Sequence, residues 1–289
     1  MLTTTDYFAF MNALDPGDLL IFGGTDPMDR LLQWIDGTSH NHAGVWLGDV
    51  ADKDDPTFIE ENLTIHAGLS ARSLTDEEKL DLFGSDEDPG PARRHGTIWL
   101  IPLDVLLDPR GPSEVGGGLQ FDIVTAVRWN RFESLDVKLL VHELMKKMNA
   151  DNTAPVFDFG QLAKLAEYWI KRAYLEAGPN QGLSNITMSL FGDMKDTIEA
   201  QAQFITDSRP AAEAGKEPAE ETTCSRYIYD GFKAAGYDLT IPIPNSVKNE
   251  IPTDAAEVRD WITPNDILRS PDFKVFAQWT RIPTRRIME

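Results

Sequence analysis

Residues 222–237 read TTCSRYIYDGFKAAGY and contain the only cysteine of the 289-residue chain. Threonine is a common helix N-cap, apolar residues follow at helical spacing, and Gly236 is a typical helix end. The pattern therefore predicts a short helix with Cys224 in its first turn. A thiol at that position lies beside unpaired backbone N–H groups and the positive end of the helix dipole, and both favour the thiolate.

The position of Cys224 is compatible with two roles. It can be a nucleophile, but a lone cysteine is more often a small buried hydrophobic residue. A catalytic role also needs a histidine as base, a polar group that orients this histidine, and N–H donors for an oxyanion. The rest of the chain must supply these groups.

The composition limits the remaining alternatives. A chain of 289 residues with 42% hydrophobic residues is long enough to bury a substantial core. A single cysteine excludes an intramolecular disulfide framework and a tetrathiolate metal site, and we expect no cofactor. The net charge of -20 repels nucleic-acid phosphates, so we expect no nucleic-acid partner.

The N-terminus lacks the basic start and apolar run of a signal peptide, and no stretch is as long and apolar as a membrane span. We therefore expect a cytoplasmic protein that is not integral to a membrane. Export without a cleavable signal is the alternative.

Local patterns predict the secondary structure. Strands are expected at residues 19–22, 42–48, 57–62, 97–103 and 273–282. Helices are expected at residues 5–14, 27–35, 121–130, 135–149, 159–177, 186–204 and from residue 264 onward. We interpret the chain, residues 1–289, as a single catalytic domain. Its core comes from residues 1–110 and 215–289, with a helical insertion at about 115–206 and a flexible connector at 207–221.

Two polar residues on neighbouring predicted strands are candidate partners of Cys224. His42 lies at the entrance of one strand, and Glu60 lies near the end of the next. Adjacent strands joined by a turn most simply pair antiparallel, which can bring these two side chains together. Taken singly, His42 could be a hydrogen-bonded histidine at a strand edge and Glu60 a solvated carboxylate. The Cys224 N–H would supply one oxyanion donor, and the second donor has no candidate.

Several short motifs occur in an informative order. They are Pro16-Gly17-Asp18 before a strand, His42-Ala43-Gly44 opening a strand, Ile59-Glu60, Cys224-Ser225 opening a helix, and Thr263-Pro264-Asn265-Asp266. Together they resemble the permuted NlpC/P60 family of papain-like cysteine peptidases and amidases, and more narrowly its YiiX/YebB-like branch. In permuted members the histidine precedes the cysteine, as it does here. The LRAT-like proteins share this architecture.

The resemblance implies an α+β fold of the papain-like, permuted NlpC/P60 type, in which an antiparallel sheet packs on the Cys-bearing helix. It implies that Cys224 is the nucleophile, His42 the base and Glu60 the orienting residue. The alternatives are His40 for His42, because positions two apart share a side of a strand, and His66 for Glu60.

Three residues beside these positions are expected to bind substrate: Asn41, Ser225 and Tyr227. The expected function is cleavage of an amide bond, of peptide, peptidoglycan-type or N-acyl kind, through a thioester. The alternatives are a lipid-directed thiol esterase or acyltransferase of LRAT type, and a non-catalytic binding module. The substrate is accordingly a small molecule, a peptide or a lipid. A metal site is disfavoured, because the H-x-H spacing is not part of a known zinc framework.

Overall fold

An eight-stranded mixed sheet organises the part of the chain described by the computed structural model. The described residues are 1–24, 33, 38–51, 59–67, 93–95, 98–107, 121–148, 156–157, 221–242 and 262–281.

The described strands, in chain order, are β1 (Leu2–Thr4), β2 (Leu19–Gly24), β3 (His42–Ala51), β4 (Ile59–Ala67), β5 (Arg93–His95), β6 (Ile98–Pro102), β7 (Phe121–Trp129), β8 (Val156–Phe157), β9 (Glu221–Thr222) and β10 (Phe273–Thr280). Eight of them form the large sheet, in the order β1-β10-β7-β2-β3-β4-β6-β5. Strands β1 and β10 are parallel, and every other neighbouring pair in the sheet is antiparallel. Strands β8 and β9 form a separate parallel pair.

The described helices are α1 (Tyr7–Met11), α2 (Leu103–Leu107), α3 (Val137–Met148), α4 (Cys224–Ala234) and α5 (Pro264–Arg269), with a 3₁₀ turn at Phe132–Ser134. Side-chain caps define three helix starts, with Asp6 at α1, Thr223 at α4 and Thr263 at α5. These caps satisfy backbone N–H groups that have no partner inside the helix. None of the helices in the described segments is long and apolar enough to cross a bilayer.

The sheet separates two apolar clusters because successive strand residues point to opposite faces. On one face, which we call the Cys-helix face, residues such as Ile21 and Val45 pack with helices α3 and α4. On the other, which we call the opposite face, residues such as Phe22 and Trp46 pack with helices α1 and α2. The central strands are therefore buried on both sides.

The mixture of helices with a largely antiparallel sheet agrees with the expected α+β class. Strands β2, β3, β4, β6 and β10 overlap the predicted strands, and helices α1, α3, α4 and α5 overlap predicted helices. The helices expected at 159–177 and 186–204, most of the one at 27–35, and the connector up to residue 220 lie outside the described residues.

The helix predicted at residues 121–130 is wrong, because Phe121–Trp129 is strand β7, between β10 and β2. Apolar residues of β7 face both clusters, with Val124 and Ala126 on the opposite face and Val127 and Trp129 on the Cys-helix face. A strand buried on both sides lacks polar-apolar alternation, so its period is hard to distinguish from that of a buried helix. The central sheet therefore includes part of the range interpreted as a helical insertion.

Candidate functional site

Helix α4 begins at Cys224, as the sequence predicted. The Thr223 hydroxyl accepts a hydrogen bond from the Arg226 N–H at 3.3 Å, which fixes the first turn. Buried residues of the helix, among them Tyr227 and Phe232, pack into the cluster on the Cys-helix face. Cys224 is buried at the start of this helix, with 6% of its surface exposed.

Burial raises the pKa of the Cys224 thiol. The Ser225 hydroxyl, whose Oγ lies 3.8 Å from Sγ, and the backbone of Ala43, Ser225 and Cys224 act in the other direction. The net pKa is nevertheless raised, so the resting group is a thiol. The expectation that the helix start would favour a thiolate is outweighed by desolvation.

The Ala43 backbone contact places Sγ beside the start of strand β3. Strand β3 pairs with β2 from Leu19↔Val45 to Phe22↔His42, whereas its pairing with β4 ends at Val45↔Ile65. Cys224 therefore lies near the point where the β3–β4 ladder stops.

The imidazole of His42 lies on the opposite face of the sheet. It stacks on the Phe121 ring, with centroids 5.5 Å apart and an interplanar angle of 13°. It also contacts Phe22, its partner across the β2–β3 ladder, at 5.7 Å. The structure thus brings the backbone next to His42 close to Cys224, while the ring packs among aromatic residues. The role of His42 as a base stays a prediction.

The expected proximity of His42 and Glu60 is wrong. Glu60 lies opposite Val50, near the far end of β3. An extended chain rises about 3.3 Å per residue, which puts Glu60 roughly 26 Å along the strand from His42. The turn between these antiparallel strands joins the end of β3 to the start of β4, where Glu60 lies. His42 is at the start of β3, so it is far from this turn and from Glu60. Position 66 is closer, because it follows Ile65, the partner of Val45.

His40 lies on the Cys-helix face and not on the side of His42. Its Nε2 is 2.8 Å from the Thr125 hydroxyl, which also accepts a hydrogen bond from Gln278 Nε2 at 3.0 Å. Thr125 is the ladder partner of Ile21, a residue of the Cys-helix face. The expectation that positions 40 and 42 share a side is wrong, because His40 precedes the first residue of β3 and regular alternation does not extend to it.

Burial lowers the pKa of His40 to about 4, so its imidazole is neutral at pH 7. The sequence did not indicate its partners Thr125 and Gln278. Thr125 belongs to the segment that was predicted to be a helix, and Gln278 is distant in sequence.

The three residues expected to bind substrate have different surroundings. Asn41 Oδ1 accepts hydrogen bonds from the Gly24 N–H at 3.3 Å and from Gln33 Nε2 at 3.4 Å. Ser225 adjoins the thiol and is 1% exposed. Tyr227 is fully buried, and its hydroxyl donates to the Leu144 carbonyl at 2.8 Å. Tyr227 is thus a core residue in this structure, and the substrate contact expected for it stays a prediction.

Gly23 offers a stability test of the segment that leads into β3. A Cβ at Gly23 would overlap the backbone carbonyl oxygen of Ser39. We expect Gly23→Ala to lower the free energy of unfolding by about 1–3 kcal/mol, because the backbone of residues 38–41 must move. Urea denaturation measures this loss, and an unchanged midpoint with an unchanged slope would show that the close approach is absent.

Two other features of the described residues lie outside this site. No three His, Cys, Asp or Glu side chains in the described segments come together as a metal site requires. A groove of about 690 Å³ lies at the C-terminal end of β7 and does not include Cys224. Its lining residues are Arg128, Trp129, Asn130, Arg131, Phe132, Glu133, Ser134, Lys274 and Phe276.

The described part of the chain is therefore an α+β structure in which a buried cysteine begins a helix packed on a mixed sheet. The sequence matches no protein-family model, and a comparison with curated proteins finds no match.

Proposed function

We propose that the protein is a papain-like thiol hydrolase that cleaves an amide bond through a thioester on Cys224. The observation that carries this proposal is the convergence of a helix start and the first residues of strand β3 on one thiol. The backbone of Ala43, Ser225 and Cys224 acts on Sγ from these two elements. Negative charge that develops at or beside the sulfur would be stabilised there.

Acylation proceeds by attack of Sγ on the substrate carbonyl carbon. The thiol proton passes to His42, and the π electrons of the carbonyl move to its oxygen. Collapse of this intermediate re-forms the carbonyl and expels the amine, which takes the proton from His42. Water then attacks the thioester, with His42 as base, and releases the acid and the Cys224 thiol.

The burial of the Cys224 thiol affects the first step of this reaction, in which the thiol loses its proton. Because burial raises the pKa of Cys224, the proton must be removed during the attack, so the reaction depends on a general base. The His42 ring is stacked on Phe121. Because this ring lies on the opposite face of the sheet from Cys224, proton transfer to His42 requires the first residues of β3 to rearrange so that the imidazole reaches the Cys-helix face.

The direct test combines labelling with turnover. Wild-type protein is treated with iodoacetamide and with 4-nitrophenyl acetate, and intact-mass spectrometry locates the adducts. We expect both reagents to modify Cys224, and Cys224→Ala to lose the ester turnover completely. If Cys224→Ala turns over the ester as the wild type does, the proposed mechanism is wrong. An unreactive Cys224 in the folded wild type would favour a non-catalytic binding module.

A second set of variants assigns the polar partners. We expect His42→Asn to reduce turnover by about 10²–10⁴-fold, the usual contribution of a general base. The strand register favours position 66 over position 60 for the orienting group. His66→Ala should therefore lower turnover strongly, whereas Glu60→Gln should leave it within a few-fold of wild type. Thermal unfolding of each variant shows whether a loss of turnover comes from misfolding. A larger loss of turnover in Glu60→Gln than in His66→Ala would contradict the inference from the β3–β4 register.

A further inference from the structure

We propose that the backbone N–H of Ala43 is the second oxyanion donor and acts together with the N–H of Cys224. This inference rests on the proposed function and deepens it, since it identifies an acyl carbonyl as the group that the site stabilises.

The direction of the Ala43 N–H follows from the ladder. The Trp46 N–H donates to the Asp18 carbonyl, and the Trp46 carbonyl accepts from the Gly17 N–H, both at 2.8 Å on the β2 side. Alternate residues of a strand direct their backbone groups to opposite sides, and the β2–β3 register is regular from Val45 to His42. The N–H groups of Val45 and Ala43 therefore point to the β4 side.

Among the residues that the structure describes, no ladder pair reaches Ala43 on the β4 side. The pairing of β3 with β4 ends at Val45↔Ile65, although β4 itself continues to Ala67 and pairs there with Ile98 of β6. The thiol of Cys224 lies at this break, because the Ala43 backbone acts on it. Because the described ladder ends at Val45, the Ala43 N–H can act as a donor beside the nucleophile.

The N–H groups of Ala43 and Cys224 are close to the nucleophile and fixed in position, as the donors of an oxyanion hole must be. Cys224 is the first residue of helix α4, so its N–H has no acceptor within the helix. An oxyanion formed by attack is two bonds from Sγ, and donors that act on the sulfur are within reach of that oxygen. One donor belongs to a central strand and the other to a capped helix, so both are held in place before the reaction.

The proposed step balances without an added reagent. A C–S bond forms while the π bond of the carbonyl breaks, and the oxygen takes the electron pair beside the two N–H groups. The thiol proton moves to His42. Return of the electron pair re-forms the carbonyl and expels the leaving group, which takes this proton.

The test replaces the Ala43 amide by an ester, by incorporating lactic acid at position 43 of the full chain. This change removes the N–H and keeps the methyl side chain. The matched control incorporates 2-hydroxyisovaleric acid at position 45, whose N–H points to β4 and not to Sγ. The readouts are acylation of Cys224 by 4-nitrophenyl acetate and its alkylation by iodoacetamide, which forms no oxyanion.

We expect the ester at position 43 to slow acylation by about 10²–10³-fold, the usual effect of losing one oxyanion donor. Alkylation should change by less than about tenfold, and the control at position 45 should affect neither rate strongly. Equal losses in both reactions, or no loss of acylation, would overturn this inference and leave the thiol mechanism intact. A wild-type Cys224 that neither reagent modifies would instead contradict the proposed function.

Discussion

Asp18→Ala is expected to lower the free energy of unfolding by about 3 kcal/mol, the lower part of the range for a broken buried ion pair. Asp18 is fully buried, and its carboxylate accepts Arg128 Nε–H at 2.8 Å and Arg128 Nη2–H at 2.7 Å. It also accepts the Asp15 N–H at 2.7 Å. Removal of the carboxylate leaves these donors without their acceptor.

The other contacts of Arg128 limit the loss of unfolding free energy in Asp18→Ala. The Arg128 side chain is 28% exposed, and its guanidinium keeps an ion pair with Asp15 at 2.8 Å. It also lies over the rings of Phe132 and Phe276, at 5.0 and 4.4 Å from their centroids. These contacts hold the cation after Asp18 is removed.

Asp15→Ala is the matched control for Asp18→Ala. The Asp15 side chain is 56% exposed, so its ion pair is screened by water and should contribute less than about 1 kcal/mol. Urea denaturation of both variants measures the contrast. Equal losses of unfolding free energy in the two variants would show that the buried ion pair of Asp18 with Arg128 does not stabilise the start of β2.

Acidification is expected to destabilise the protein by about 3 kcal/mol through His40 alone. Burial lowers the pKa of this imidazole from 6.5 to about 4 in the folded protein. Between these values the unfolded chain binds a proton that the folded chain does not bind. The stabilising contribution is therefore complete above pH 6.5, decreases as the pH falls toward 4, and changes no further below that pH.

His40→Gln isolates this effect, because carboxylates also titrate in the same range. Glutamine has no proton to gain and keeps a polar group near Thr125. The free energy of unfolding of each protein is measured by urea denaturation from pH 7 to pH 4. We expect the difference between the two proteins to change by about 3 kcal/mol across that range. A constant difference would show that the imidazole is not buried as a neutral group.

The site was only partly predictable for reasons that differ among its residues. Cys224 was correctly placed at a helix start, because a cap and helical periodicity are local signals. The ionisation state of Cys224 was not correctly predicted, because the burial of the thiol depends on how α4 packs against the sheet. Glu60 was misplaced because a composition-based strand pattern does not specify register, and the register decides which β4 residue lies near His42.

The sequence by itself determined the features that depend on near neighbours in the chain. They include the start of α4 at Cys224, the start of α5 at Pro264, and the apolar strand β2. Caps, turns and periodicity act within a few residues, so they can be recognised without the fold.

Only the tertiary structure decided that Phe121–Trp129 is a central strand, that His40 and His42 lie on different faces, and that Ala43 meets the thiol. These relations depend on strand order, ladder register and burial on both faces of the sheet. They join residues that are far apart in the chain, and no local pattern specifies them.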